Sequence, residues 1–139
     1  MGLSFLGLLL LQLNYIEEMA EMKKEQFDES VNRALYQASR NMELNDLSPD
    51  LCDLAVGDLL SGVQDKGNVL LANILLAPNL ALLPDVKYAL KPKGYAIFSG
   101  MTNHERGAFL SVLSSSGLAL ERELHFGDWW GCRARLAWG

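Results

Sequence analysis

The sequence predicts an α/β fold: a mostly parallel sheet that finishes in an antiparallel hairpin and is preceded by a long N-terminal helix. Three features carry this expectation. The stretch from Asn68 to Leu83 is a nearly unbroken apolar run, as expected of a strand buried on both faces and the element after it. Upstream, apolar residues recur at helical spacing for some thirty positions. Downstream, the last twenty residues alternate around a Gly127-Asp128 turn signal.

In chain order, Leu3 to Leu13 is rich in leucine, with Phe5, yet no Lys or Arg precedes it and no small-residue cleavage site follows, so it does not read as a signal peptide. It is also shorter than the roughly twenty residues that span a bilayer. A core-packing segment is the first reading; weak membrane association and a segment joined on by gene misassembly are the alternatives. From Tyr15 to Asn45, Ile16, Met19, Phe27, Val31, Leu35, Ala38 and Met42 form one stripe of a helix whose other face carries Glu17, Glu18, Glu21, Lys23, Lys24 and Glu25. Asn45-Asp46 and Ser48-Pro49 end it, and Leu51 to Val56 is expected as a short strand.

After a loop, Val69 to Ile74 is the next strand, with Asn73 at the point where it should stop. In an open parallel sheet ligands gather beyond the carboxyl ends of the strands, which would put Asn73 at the mouth of a pocket. Pro78 and Pro84 suggest a short helical turn followed by a helix from Pro84 to Leu90. Lys91 to Gly94 is a turn, and Tyr95 to Ser99 a third strand. Thr102 and Glu105 have capping-box spacing and open a helix that Gly117 closes. For the hairpin, a three-residue loop through Trp129 is the favoured register. It pairs Phe126 with Trp130, Leu124 with Cys132, Leu120 with Leu136 and Leu118 with Trp138, and sets Glu123 against Arg133 and Glu121 against Arg135.

Composition narrows the function. The chain has 139 residues, half of them apolar, and a formal net charge of -5, with no Lys/Arg cluster for direct nucleic-acid binding. Cys52 and Cys132 lack CxxC or His partners at ligand spacing, so no metal site is expected. His104 and His125 are expected to face solvent.

The segments ALYQASRNMELNDL, GDLLSGV, NVLLANILLAPNLALLP, ALKPKGYAIFSGM and SSGLALE, in this order, resemble the methyltransferase of ribosomal protein L11 and its protein-lysine relatives over about residues 34–136. The resemblance implies a Rossmann-like, S-adenosylmethionine-dependent fold, a protein substrate such as a ribosomal protein, and a cytoplasmic location, with an organelle as the alternative. It implies that Ala72, Asn73, Ile74 and Leu75 line the place where the acceptor amine meets the cofactor. Asn73 is then the candidate catalytic residue, Ile74 and Leu75 contact the acceptor, and Ala72 lies on the cofactor side. A carboxamide oxygen can accept a hydrogen bond from a neutral amine and aim its lone pair, which is positioning rather than acid-base chemistry. Asp58 corresponds to an acidic position near the cofactor's adenine. For both residues a turn-forming role is the plain alternative.

The family's opening strand, glycine-rich turn and acidic strand end have no counterpart here. No GxG occurs in the sequence, and Glu29, the residue that would imitate the ribose ligand, sits in a charged helical stretch. The expected organisation is a leader over residues 1–33 and the C-terminal part of a methyltransferase domain over 34–139, giving an incomplete sheet open to self-association. A non-catalytic remnant or interaction module is the alternative to an enzyme.

Overall fold

The computed structural model describes residues 2–137, with side chains described from Glu21 onward. Two compact units divide the chain, Met1–Val56 and Gly57–Gly139. In the first, helix α1 runs over Gly2–Leu44. It ends where Asp46 turns to a left-handed φ of 54°, in the Asn45-Asp46 pair expected to stop it. Ser48 then caps a 3-10 turn over Pro49–Leu51, its hydroxyl accepting from the Asp50 N–H. The strand expected over Leu51 to Val56 is absent. Cys52 is extended, but the segment pairs with no strand, and Leu51, Leu54 and Val56 are exposed. Apolar β-prone residues make a strand only when a neighbour takes up their backbone hydrogen bonds.

The second unit is a sheet with helices on one side. Its elements are β1 (Gly67–Asn73), α2 (Leu76–Ala89), β2 (Leu90–Thr102), α3 (Arg106–Leu113), β3 (Leu118–Phe126) and β4 (Trp129–Leu136). The sheet order is β1-β2-β4-β3, with β1 parallel to β2 and the other two pairs antiparallel. The α/β fold with a terminal antiparallel hairpin is the one the sequence predicts; with Leu51 to Val56 unpaired, one of the three strand pairings is parallel where a mostly parallel sheet was expected. The turn expected over Lys91 to Gly94 is instead an irregularity inside β2, which begins at Leu90 rather than Tyr95. Pairing with β1 jumps from Leu90 to Tyr95, and Lys93 adopts a φ of 65°, so these residues loop out of the ladder.

Two local expectations need correction. First, α2 is continuous from Leu76 and passes through Pro84 rather than beginning there. Pro78 sits in the first turn, where N–H groups lack intrahelical partners anyway; Pro84 leaves only the Leu80 carbonyl without its donor, and the burial of Leu82, Leu83 and Val86 holds the helix together. Second, the hairpin turns on two residues. Phe126 pairs with Trp129, His125 with Trp130 and Glu123 with Cys132. Beyond Arg122 the register slips, and Leu120 then meets Ala134 and Leu118 meets Leu136. Trp138, the expected partner of Leu118, lies outside the described residues.

This bulge at Glu121 is what simple alternation cannot anticipate, because it changes which residues share a face part way along the strand. Leu118 stays on the helix side, Glu121 swings to the other face, and Glu123 returns to the helix side. The Glu121 carboxylate consequently bridges Arg135 at 2.6 Å, as expected, and also Arg133 at 2.9 Å, the residue assigned to Glu123.

The core lies between the sheet and the two helices. Ala72, Ala96, Phe98, Trp130, Cys132 and Ala134 face Leu82, Leu83, Val86, Phe109 and Leu113. Phe109 is its centre: its ring lies 5.0 Å from that of Phe98, tilted, and 5.6 Å from that of Trp130, edge-on. Trp130 is therefore a core residue. A 3-10 turn over Asn103–Glu105 leads into α3 and is capped by Glu105, whose carboxylate accepts from the Thr102 N–H at 2.7 Å and from the Thr102 hydroxyl at 3.0 Å.

Candidate functional site

Strand β1 ends at Asn73, and three features fix its carboxyl end. The Ile74 N–H donates to the Ser99 carbonyl at 3.2 Å, which closes the parallel pairing. Asn79, on the first turn of α2 and fully buried, donates from Nδ2 to the carbonyls of both Ile74 and Ser99, at 2.8 and 3.1 Å. The ends of β1 and β2 are thus stapled together from inside the core. Gly100 completes the arrangement. It has a φ of 82°, and a Cβ there would stand 2.5 Å from the Ile74 carbonyl oxygen, so only glycine lets the two chains approach this closely.

Asn73 itself is exposed on the face of the sheet away from the helices. Its Oδ1 accepts a hydrogen bond from the Ser99 hydroxyl at 3.0 Å, which orients the amide and leaves a second lone pair on the same oxygen. Around it opens a cavity of about 560 Å³, lined by Asn73, Ile74, Leu75 and Ser99 on one side and by Leu124, Phe126 and Trp129 on the other. The walls are mainly apolar and the polar groups few, which is the usual make-up of a binding cleft. Leu75, Phe126 and Trp129 are largely exposed.

Of the residues singled out in the sequence, Asn73, Ile74 and Leu75 come together in this cavity, and the others do not. Ala72 is buried on the helix-facing side of β1, with 6% exposure. Asp58 is exposed. Its N–H is held by the Ser61 hydroxyl at 3.1 Å, and it lines a separate cavity with Leu60, Asp85 and Tyr88. Glu29 is exposed on α1, within a continuous helix rather than at a strand end. Asn79, Ser99 and Gly100 are the site residues that the sequence reading missed.

Behind the cavity, one carboxylate organises the hairpin. Glu123 accepts two hydrogen bonds from Arg106, at 2.5 and 3.0 Å, and one from the Trp130 indole N–H at 3.0 Å. The Arg106 guanidinium, helped by the indole, holds the Glu123 carboxyl below the usual range for glutamate. Cys132 lies alongside. Burial, assisted by the Glu123 charge, pushes its thiol up to about 12, so it remains a neutral packing group. Both histidines are exposed, with His125 Nδ1 2.7 Å from Asn103 Oδ1. Among the described residues no group of three or more His, Cys, Asp or Glu could hold a metal ion, and no helix is long and apolar enough to cross a membrane.

Comparison with known proteins places this geometry. The family model described as Ribosomal protein L11 methyltransferase (PrmA) matches residues 27–136. A ribosomal protein L11 methyltransferase of Streptococcus pyogenes serotype M5 is 40% identical over 93 residues, covering 66% of this chain and 29% of that protein. One from Pediococcus pentosaceus is 31% identical over 98 residues, covering 70% and 31%. The chain therefore spans about a third of the length of these relatives. Among solved structures, a ribosomal protein L11 methylase from Lactobacillus delbrueckii subsp. bulgaricus superposes with a TM-score of 0.66 at 27% identity, over 70% of this chain and 49% of the other. A methyltransferase from Pyrococcus furiosus shares the fold at 13% identity, with a TM-score of 0.57 over 76% of this chain and 58% of the other.

Proposed function

Because the chain belongs to the ribosomal protein L11 methyltransferase family, we propose that it serves S-adenosylmethionine-dependent methylation of a protein amine, and that Asn73 positions the acceptor. The supporting observation is the Asn73 amide at the carboxyl end of β1: pinned by Ser99, facing a mostly apolar cavity, and carrying a free lone pair on Oδ1. A neutral amine donating to that oxygen would turn its own lone pair toward a methyl sulfonium. Transfer then needs alignment of nitrogen, carbon and sulfur more than it needs proton transfer. Ile74 and Leu75 would contact the aliphatic part of the acceptor, and the S-adenosylmethionine would supply the electrophilic methyl group. A ribosomal protein is the substrate class, and the cytoplasm the compartment, that go with this reading.

A second reading, a non-catalytic interaction module, has its own support. The sequence contains no GxG, and neither Asp58 nor Ala72 lines the Asn73 cavity. With neither residue at the cavity, these residues by themselves offer little with which to hold a cofactor against an acceptor.

Two measurements separate the readings. Calorimetric titration with S-adenosylmethionine gives saturable heat at millimolar ligand if the chain binds cofactor by itself, and none if it is an interaction module. Where methyl transfer to ribosomal protein L11 is detected, Asn73→Ala should lower it about a hundredfold, the usual cost of misplacing a reacting group. Unchanged transfer would remove Asn73 from the mechanism.

A further inference from the structure

The far wall of the Asn73 cavity is held from behind by one residue. Phe126 and Trp129, which belong to that wall, are 81% and 57% exposed, so little packing fixes them. They flank the two-residue turn Gly127-Asp128, and their place is set by the backbone that carries them. Asn103, the first residue after β2, engages this turn three times. Its N–H donates to the Asp128 carbonyl at 2.9 Å, its Nδ2 donates to the Gly127 carbonyl at 2.8 Å, and its Oδ1 lies 2.7 Å from His125 Nδ1. The Thr102 and Glu105 capping box in turn fixes the backbone on which Asn103 sits. These bonds also settle the histidine ring. An amide whose nitrogen donates to Gly127 presents only its oxygen to His125, and an oxygen accepts, so His125 carries a proton on Nδ1.

We propose that Asn103 is a positioning residue for this cavity: by clasping the turn, with His125 locked as the Nδ1–H tautomer, it holds Phe126 and Trp129 at a fixed distance from Asn73 and so sets which acceptor side chains fit. The clasp and the wall lie on opposite faces of the same hairpin. His125 pairs with the buried Trp130 on the helix side, whereas Phe126 and Trp129, one residue along on each strand, project to the open side. The strand ladder alone does not fix the tip. β2 pairs with β4 only as far as Thr102, opposite Trp129, and β3 is the outer strand of the sheet. Without the Asn103 amide, the turn would be free to swing while every ladder pair further down the hairpin stayed intact. A wall that moves admits acceptors of more shapes and holds each of them less well, which is a loss of fit rather than of chemistry. The identity of the acceptor rests on the methyltransferase reading; the clasp does not.

Nuclear magnetic resonance of the full chain tests the clasp. In the parent, nitrogen–proton correlations of the neutral His125 ring should show Nδ1 protonated and Nε2 bare, and Asn103→Ala should lose this signature. Amide exchange at Phe126 and Trp129 should quicken about tenfold in Asn103→Ala, the order expected when a hydrogen bond or two is lost, while exchange at Leu70 and Ala72 stays at the parental rate and shows that the sheet is intact. His125→Phe removes one of the two side-chain bonds. It should give a smaller acceleration, and none beyond that of Asn103→Ala when the two are combined, because both act through the same amide. In methyl transfer to ribosomal protein L11, Asn103→Ala should raise the KM for the acceptor about tenfold and keep kcat, in contrast to the loss of turnover expected of Asn73→Ala. A proton on Nε2 of the neutral parent ring, tip exchange that Asn103→Ala leaves unchanged, or a KM that stays at the parental value overturns the proposal. Absence of any transfer counts against the acceptor reading alone, and the ring and exchange measurements then decide the clasp.

Discussion

The two faces of one sheet differ more than its strands do. Toward α2 and α3 lie Ala72, Ala96, Phe98, Trp130, Cys132 and Ala134, each no more than 6% exposed. On the other face Val69, Leu71, Leu124, Phe126 and Trp129 are between 46% and 81% exposed, next to Asn73 and the Arg133-Glu121-Arg135 ion pairs. The covered face is a packed core, and Asn79 within it holds the carboxyl end of β1 in place. The open face holds the candidate chemistry beside exposed apolar side chains, the surroundings expected of a binding site. Folding and function are thus assigned to opposite sides of the same strands.

Mutations on the two faces should therefore separate cleanly. The largest effect is expected of Phe109→Ala, which empties the centre of the aromatic cluster and should cost about 3 to 5 kcal/mol in denaturant unfolding. Asn79→Ala removes both staples between the Ile74 and Ser99 carbonyls and should cost about 1 to 3 kcal/mol, the penalty for leaving buried carbonyls unpaired. Equal stability of the variant would show that the strand ends are held by pairing alone.

Glu123 gives a pH test of the link between the faces. Its pKa is lowered in the fold, so its contribution is complete above the ordinary carboxylate range and is lost as the pH falls through its folded value. The stability gap between the parent and Glu123→Gln should accordingly close from neutrality into the acid range; a gap that widened there would reverse the assignment. Thiol reactivity sharpens the contrast again, since exposed Cys52 should label promptly and Cys132 only on unfolding. Smallest of all, Leu124→Ser on the open face should change stability by no more than about 0.5 kcal/mol.

Much of this arrangement was legible in the sequence. The apolar run and its asparagine placed Asn73 at the end of a strand, although β1 is buried on one face only rather than on both as the run suggested, and the Thr102/Glu105 spacing located the capped turn that leads into α3. The family resemblance over the C-terminal hundred residues was legible in five short segments. What could not be read depends on contacts distant in sequence. Leu51 to Val56 has the composition of a strand but no neighbour to pair with. Pro84 looks like a helix start until the core contacts of Leu82, Leu83 and Val86 carry the helix across it. The bulge at Glu121 alters the alternation from which a register is inferred. Asn79 was passed over as part of the apolar run, although an asparagine within such a run signals carbonyls that need a donor.

The central claim is that Asn73 positions an acceptor amine while taking no part in holding the cofactor. It is tested most directly by replacing the matching segment of the Streptococcus pyogenes relative with residues 57–136 of this chain and measuring methyl transfer to ribosomal protein L11 together with the S-adenosylmethionine dissociation constant. The account predicts that the chimera transfers methyl groups, and that Asn73→Ala within it lowers the turnover about a hundredfold with the dissociation constant unchanged. Transfer at the parental rate, or a loss confined to cofactor affinity, would contradict it.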